Sequence, residues 1–478
     1  MFYINIKIKN KKLKIAIKQY ILFSYIIILI FPLMTVSLHS ENINLDKKIE
    51  INSNIKTYNI KTYNIKTFLK HVKEYSKDLK LAKQELRIAK IYRKEALSTA
   101  LPKIQLVLDY NRNLKENFLY IDFPDPKTGE IANQKFKINY KNSYGIQGVI
   151  SQPLFSFKVG TALKAAKQYK KLTDFVYKAT YNEIINVSKK VFYQALLLEK
   201  IWNVSQNSQL NAYENYLQMK KKYKFGQTSQ FQLLQSKSYW QSSLPRTSQA
   251  KRNYELALSG LKILAGLNTN QNINLSGNFH SIPTIPQMSG LETILDRRPD
   301  YNALQLETEM RKTNIKNKKA DLLPNLDLNL IYNFSSMSDK MVFEKINNSF
   351  IVNLKLSVPI FVGGYKRAQV QKAIIEMESS KIKLEKERDK VSSEIKDIFL
   401  RLKEAQIRIK SSKQTLITAK KAFNIAKITV ENGLATQLDL KDARLMFDQA
   451  QLNSFAAVYD YLSGYFDWEK ATCSIKNK

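Results

Sequence analysis

Between residues 101 and 360 the chain carries four stretches in which apolar and polar side chains alternate. In the first, Ile104, Leu106, Leu108 and Tyr110 share one face, with Gln105 and Asp109 on the other. In the second, Tyr144, Ile146 and Ile150 oppose Ser143, Gln147 and Ser151. The third sets Leu326, Leu328, Leu330 and Tyr332 against Asn325, Asp327 and Asn329, and the fourth sets Phe350, Val352, Leu354 and Leu356 against Asn353, Lys355 and Ser357. A period of two predicts β-strands, over about 101–112, 142–153, 323–334 and 349–360. Each is close to the roughly 9–11 residues of a membrane-spanning β-strand. A half-buried strand of a soluble protein alternates in the same way, so the pattern alone leaves both settings open.

The remaining chain repeats at the helical period and in very long runs. Val391, Ile395, Ile398, Leu402, Ala405, Ile409, Ser412, Leu416, Ala419, Phe423, Ala426 and Val430 follow each other in steps of four and three, a heptad seam with one polar interruption. A weaker seam in the same register runs from Ile184 to Tyr223, and another links Phe68, Val72, Tyr75, Leu79, Ala82, Leu86 and Ala89. A helix over about 366–431 would be ~100 Å long, which a coiled coil or helical barrel accommodates and a compact domain does not. Gly433 breaks this helix before the pattern resumes at Leu438, so the chain is expected to fold back antiparallel; Gly226 does the same earlier. Pro245 is expected to kink the returning helix of the first hairpin.

Three segments recur in order. Leu101-Pro102-Lys103-Ile104 matches Leu323-Pro324-Asn325-Leu326, Ser151-Gln152-Pro153-Leu154-Phe155 matches Ser357-Val358-Pro359-Ile360-Phe361, and the segment from Gly226 matches the one from Gly433. The offsets are 222, 206 and 207 residues, so the first half holds a longer loop between its strands. The chain therefore divides into two helix–strand–strand–helix–helix units, 66–270 and 293–470, joined by a linker at 271–292 and followed by a tail at 471–478. Ahead of them, residues 1–40 read as an export signal. Six lysines without an acid precede an apolar run from Tyr20 to Leu38, and small residues follow. An uncleaved membrane anchor is the other reading of that segment. Residues 41–65 are expected to form a mobile leader; they include most of three tandem pentamers, NIKTY, NIKTY and NIKTF, at 54–68.

Composition removes several function classes. One cysteine, Cys473, excludes an intramolecular disulfide and a cysteine-rich metal site, and three histidines (His39, His71, His280) leave little for zinc or acid–base catalysis. No phosphate-binding loop, nucleophile elbow, zinc-protease or dinucleotide pattern is present, so no enzyme, cofactor or metal is expected. The formal charge of +36 is spread along the chain, with lysine, isoleucine, asparagine and tyrosine all abundant. That is the signature of an AT-rich genome, and without a recognition motif it does not imply nucleic acid.

Four strands cannot close a membrane barrel, whose smallest natural form has about eight. An open edge in lipid leaves backbone groups unpaired at several kcal/mol each, so other copies would have to complete it. At this point the chain resembles the TolC-type outer membrane efflux proteins. The resemblance rests on the duplicated strand starts at Leu101 and Leu323, the strand ends at Gln152-Pro153-Leu154-Phe155 and Val358-Pro359-Ile360-Phe361, Gly363-Gly364, Arg298-Pro299-Asp300, and Asn432-Gly433 with Asp439-Leu440-Lys441-Asp442-Ala443.

The resemblance implies a mainly α fold with a membrane β-barrel: a homotrimer whose twelve-stranded barrel stands on a long α-helical coiled-coil tunnel. It implies a Gram-negative outer membrane location reaching into the periplasm, and an exit duct for drugs or secreted proteins. The partners implied are a periplasmic adaptor, an inner-membrane transporter and outer membrane lipid. In such a protein Gln105, Asp109, Asp327, Asn329, Asn353 and Lys355 would line the barrel lumen, and the Gly226 and Gly433 turns would form the entrance. By resemblance Asp439 and Asp442 match an acidic ring that favours cations and raises its own pKa values by repulsion. Thr436-x-x-Asp439 also reads as a helix cap. The chain departs from the family at three positions: Ala435 stands in place of a latch arginine, Gln232 of a latch acid and Val430 of a latch tyrosine. The closed state is then expected to rest on packing and the acidic ring. A periplasmic adaptor would instead have one hairpin and a β-rich C-terminus, and a basic coiled-coil nucleic-acid binder would have no strand pairs.

Overall fold

The computed structural model describes residues 61–124, 129, 131–277, 279 and 282–474. The expected export signal, the leader up to residue 60, His39, His280 and the last four residues lie outside these. The described chain runs β1 (Lys61–Asn64), α1 (Ile65–Tyr75), α2 (Lys77–Ser98), β2 (Lys103–Arg112), β3 (Phe118–Pro124), β4 (Ile131–Lys137), β5 (Asn142–Phe155), α3 (Phe157–Lys224) and α4 (Gln230–Ala265). It continues with β6 (Ile273–Ser276), α5 (Leu291–Arg297), α6 (Pro299–Ala320), β7 (Asn325–Ser338), β8 (Asn347–Ser357), α7 (Tyr365–Glu431) and α8 (Gln437–Ala471). The helix–strand–strand–helix–helix unit thus occurs twice, as α2-β2-β5-α3-α4 and α6-β7-β8-α7-α8. The longer loop of the first half folds into the β3–β4 hairpin.

The four alternating stretches form one antiparallel sheet in the order β2-β5-β7-β8. Its register keeps each apolar set on one side: Leu108 faces Ile146, Ile146 faces Phe334, Ile150 faces Leu330, and Leu330 faces Val352. Long helices carry the rest. α3 has 68 residues and α7 has 67, so each spans ~100 Å at about 1.5 Å per residue. The α7 seam is buried at Val391, Ile395, Ile398, Leu402, Ala405, Ala419 and Val430, as the heptad spacing requires. α4 continues without a break through Pro245. Gly363 and Gly364 sit in the turn between β8 and α7.

The apolar core gathers midway along α3 and α7, where the ends of α4 and α8 remote from the turns pack against them. One cluster packs Phe192 and Leu196 of α3 and Leu261 of α4 against Val458, Leu462 and Phe466 of α8. A second packs Ile294 and Leu295 of α5 with Ile398 and Leu402 of α7 and Trp468 of α8. Tyr63 and Ile65, expected at the end of a mobile leader, belong to the first cluster. Strand β1 pairs in parallel with β6, which lies in the expected linker, and Tyr63 is 2% exposed. The physical reason is local. Asn64 and Thr67 of the third pentamer form a reciprocal capping box that starts α1, and Phe68 then fills the core 5.4 Å from the Phe192 ring. His71 stacks on Tyr75 with ring centroids 4.5 Å apart.

Candidate functional site

The sheet has one continuous apolar face. Ile104, Leu106 and Leu108 at one edge and Phe350, Val352, Leu354 and Leu356 at the other each leave more than 60% of their surface uncovered. Such a patch in one chain marks a membrane or a partner surface. The opposite face brings together all six residues expected on the lumen side. Asp327 stands opposite Lys355, and Asn329 lies between Ser151 and Asn353, with the Ser151 hydroxyl donating to Asn329 Oδ1 at 2.8 Å. Asp109 folds across Gly145, where a β-carbon would collide with its carboxylate. Gln105 heads a row that continues through Val149, Ile331 and Ile351, so this face holds one aliphatic line among its polar residues.

The two hairpin turns are built alike. Gly226 and Gly433 both adopt positive φ, at 69° and 76°, a conformation that costs glycine little. After each glycine the next amide reaches back to close the helix: Gln227 N–H donates to the Lys222 carbonyl at 2.9 Å, and Leu434 N–H to the Thr429 carbonyl at 2.8 Å. The returning helices are capped by equivalent hydroxyls. Ser229 accepts from the Gln232 amide at 3.3 Å, and Thr436 from the Asp439 amide at 3.2 Å.

Asp439 completes a capping box, its Oδ2 accepting from the Thr436 amide at 2.8 Å and the Thr436 hydroxyl at 2.7 Å. Those two bonds hold its carboxyl below the usual range. Within one chain the cap therefore lowers the pKa, opposite to the rise expected for a ring of converging copies. Asp442 is exposed three residues further along the same helix.

Other charged groups become legible only in three dimensions. Arg298 is buried at the start of α6. Its guanidinium holds Asp300 at 2.5 Å and Glu394 of α7 at 2.8 Å, and touches the Ala471 carbonyl at the end of α8. Burial alone would raise the Asp300 pKa, but the Arg298 hydrogen bonds and charge keep it below the usual range. Near the second turn, Arg444 and Asp448 of α8 form a buried pair, with the guanidinium 5.1 Å from the Phe423 ring. The Asn215 amide of α3 donates to Gln437 Oε1 of α8 at 2.9 Å, joining the two hairpins. The i,i+4 spacing of Arg444 and Asp448 was visible in the sequence, but its burial was not. Among the described residues no cluster of potential metal ligands occurs.

The sequence profile of the outer membrane efflux proteins matches residues 69–267 and 290–465, most of both halves. The chain is similar to the alkaline protease secretion protein AprF of Pseudomonas aeruginosa, at 20% identity over 387 residues, covering 80% of this chain and 78% of AprF. In fold it resembles the CmeC outer membrane channel of Campylobacter jejuni, with a TM-score of 0.68, 19% identity and 85% of each chain covered. It also resembles the open state of the MtrE outer membrane channel of Neisseria gonorrhoeae, with a TM-score of 0.67, 15% identity, and 85% and 88% covered. With its profile matched across both repeats, its sheet apolar on one face and polar on the other, and its paired helix hairpins, this chain belongs to the outer membrane efflux protein family and is an exit duct of the outer membrane.

Proposed function

We propose that three copies close a twelve-stranded barrel over a tunnel made from their α3–α4 and α7–α8 hairpins. The observation that carries this is the four-stranded sheet itself. Among the described residues β2 and β8 end it as edges without a strand partner, and one face is apolar from edge to edge. In lipid such edges must pair, and the β8 edge of one copy can take the β2 edge of the next. Helix α7 supports the same arrangement. Opposite its buried seam it exposes Ile375, Ile382, Leu400, Ile407 and Ile425, spaced by 7 or 18 residues and therefore along one helix face. A helix with apolar stripes on two sides fits a wall in which it has a neighbour on each side.

In this arrangement Gln105, Asp109, Asp327, Asn329, Asn353 and Lys355 face a wet lumen, and the Gly226 and Gly433 turns surround the periplasmic entrance. Asp439 and Asp442 of three chains form an acidic constriction that favours cations. The duct performs no chemistry. A periplasmic adaptor and an inner-membrane transporter deliver cargo and energy, and the cargo is a small molecule or, as the name of AprF indicates for that relative, a secreted protein.

The test is purification in detergent, chemical cross-linking and planar-bilayer recording. Cross-linking is expected to stop at three subunits, and the purified protein to give discrete, cation-selective conductance steps. A monomer that inserts no conducting pore would overturn the proposal.

A further inference from the structure

The basic excess of the chain is unevenly placed on the fold. The sixteen residues of α2, α3, α6 and α7 nearest the sheet hold eighteen Lys and Arg against six Asp and Glu, whereas the sixteen of α3, α4, α7 and α8 nearest the turns hold ten against five, so the excess concentrates at the sheet end. There it is ordered in rows. Lys164, Lys167 and Lys171 form one on α3, and Lys312, Lys316 and Lys319 form one on α6, each spaced by three and four residues and therefore on one helix face. All six are exposed. The ion pairs formed nearby use Lys158, with Asp321, and Arg311, with Glu307 and Glu376, and both of these bases lie off the rows. Glu309 ends the α6 row on the side away from the sheet.

Both rows lie on the outside of the helical wall. On α3, Lys164 and Lys171 continue in steps of seven through Lys178 and Ile185 to Phe192, whose ring centroid is 5.4 Å from that of Phe68 in α1. Helix α1, with β1 and β6, stands outside, because three copies of that unit within the tunnel would fill the path. Helices α3 and α6 are antiparallel neighbours joined by the Thr161 hydroxyl and Asn317 Oδ1 at 2.8 Å. In each helix the lysine row lies roughly a third of a turn back, in sequence order, from that joint, and in two helices of opposite direction this sets both rows on the same side. Between these rows and the apolar face of the sheet, Phe157, Phe361 and Tyr365 are exposed at the junction of sheet and helices. Lys316 and Lys164 lie ~6 and ~11 Å from the sheet-side ends of their helices at about 1.5 Å per residue.

We propose that the two rows form a collar that binds the headgroups of anionic phospholipids in the leaflet facing the periplasm, and so seats the duct at a fixed depth. This rests on the exit-duct reading and adds to it the class of lipid that the duct holds. Apolar surface, then aromatic rings, then lysines is the order in which a protein passes from hydrocarbon through headgroups into water, with lysine stems lying along apolar surface and their amines reaching the polar layer. An anionic lipid surface attracts each lysine within about a Debye length, ~10 Å at 0.1 M salt, which takes in the upper lysines of both rows. A zwitterionic headgroup has no net charge to offer them.

The experiment places full-length trimers in nanodiscs of phosphatidylcholine and phosphatidylglycerol in equal parts and counts the lipids retained on each trimer by native mass spectrometry. The parent is expected to retain phosphatidylglycerol several-fold over phosphatidylcholine, and less so as salt rises. Lys164→Gln/Lys167→Gln/Lys316→Gln/Lys319→Gln is expected to lose the preference, and the same four positions changed to Arg to keep it. Lys220→Gln/Lys221→Gln/Lys222→Gln/Lys224→Gln, which removes the same charge beside the first turn, is expected to keep it as well. No preference in the parent, or equal preference in the collar and turn variants, refutes the collar, while conductance of the parent in pure phosphatidylcholine bilayers leaves the exit duct standing. Loss of binding to isolated peptidoglycan in the collar variant, with its lipid preference unchanged, would assign the rows to a cell-wall polymer and overturn the proposal too. If the glutamine variant yields no trimer, the salt dependence of the parent and the preference of the arginine variant decide. If the parent itself forms no trimer and no pore, both readings fall.

Discussion

The sidedness of the sheet makes the sharpest prediction, because neighbouring residues on β7 should differ in sign of environment. Leu330 faces Ile150 and Val352 in the apolar row, and Asn329 faces Ser151 and Asn353 in the polar one. β7 has 14 residues, with its centre between Ile331 and Tyr332. A strand rising ~3.3 Å per residue and tilted by ~40° advances ~2.5 Å per residue along the membrane normal. Leu330 then lies ~4 Å from the midplane and Leu328 ~9 Å, inside an apolar band ~25 Å tall. An arginine at Leu330 should cost about 2–4 kcal/mol per chain and one at Leu328 about 1–2, while a lumen-facing one at Asn329 stays hydrated and costs under about 0.5. In the proposed trimer the Leu330 penalty is multiplied to about 6–12 kcal/mol, enough to prevent assembly. The assay is trimer yield in isolated outer membranes, compared on gels without heating. The expected order of damage is Leu330→Arg, then Leu328→Arg, then Asn329→Arg. Equal yields for all three, or greatest damage at Asn329, would refute the assignment of faces.

Changing Asp439 and Asp442 together to Ala should weaken cation selectivity, read as a reversal-potential shift in a salt gradient, and Asn at both positions should do the same because charge rather than size controls it. Trimer yield should survive, since losing the Thr436–Asp439 cap costs only about 0.5–2 kcal/mol. Arg298→Ala strips the buried partner from Asp300 and Glu394 and should lower thermal stability by about 2–3 kcal/mol, discounted from the range for fully buried pairs because both acids are partly exposed. The Asp300 pKa is depressed in the fold, so its share is complete at neutral pH and disappears as pH falls through the folded-state value; melting curves of parent and variant should converge below about pH 4. Phe68→Ala should cost about 3–5 kcal/mol in the same melts, a penalty that a residue beside a mobile leader would not show.

Two periodicities in the sequence determined most of the architecture. Alternation at period two located all four strands of the sheet and assigned Gln105, Asp109, Asp327, Asn329, Asn353 and Lys355 to one face, because a strand admits only two faces. The four-three spacing from Val391 to Val430 determined a helix too long for a compact domain, and Gly226 and Gly433 marked its reversals through a backbone conformation glycine accepts most readily. Duplication showed that both halves share one plan. Tertiary structure decided what depends on distant partners. Tyr63 looks like a repeat unit in a leader until β6 arrives from more than two hundred residues away, and the Phe68 seam finds its partner only in Phe192. The β3–β4 hairpin was hidden in a loop whose length alone was legible. The burial of Arg444 with Asp448 and the pairing of Asn215 with Gln437 carry no sequence signal, since both arise only when α3, α4, α7 and α8 are laid side by side. Asp439 stands between the two cases. Its cap is local and was written in Thr436-x-x-Asp439, whereas its place on a pore axis depends on copies that no single chain contains.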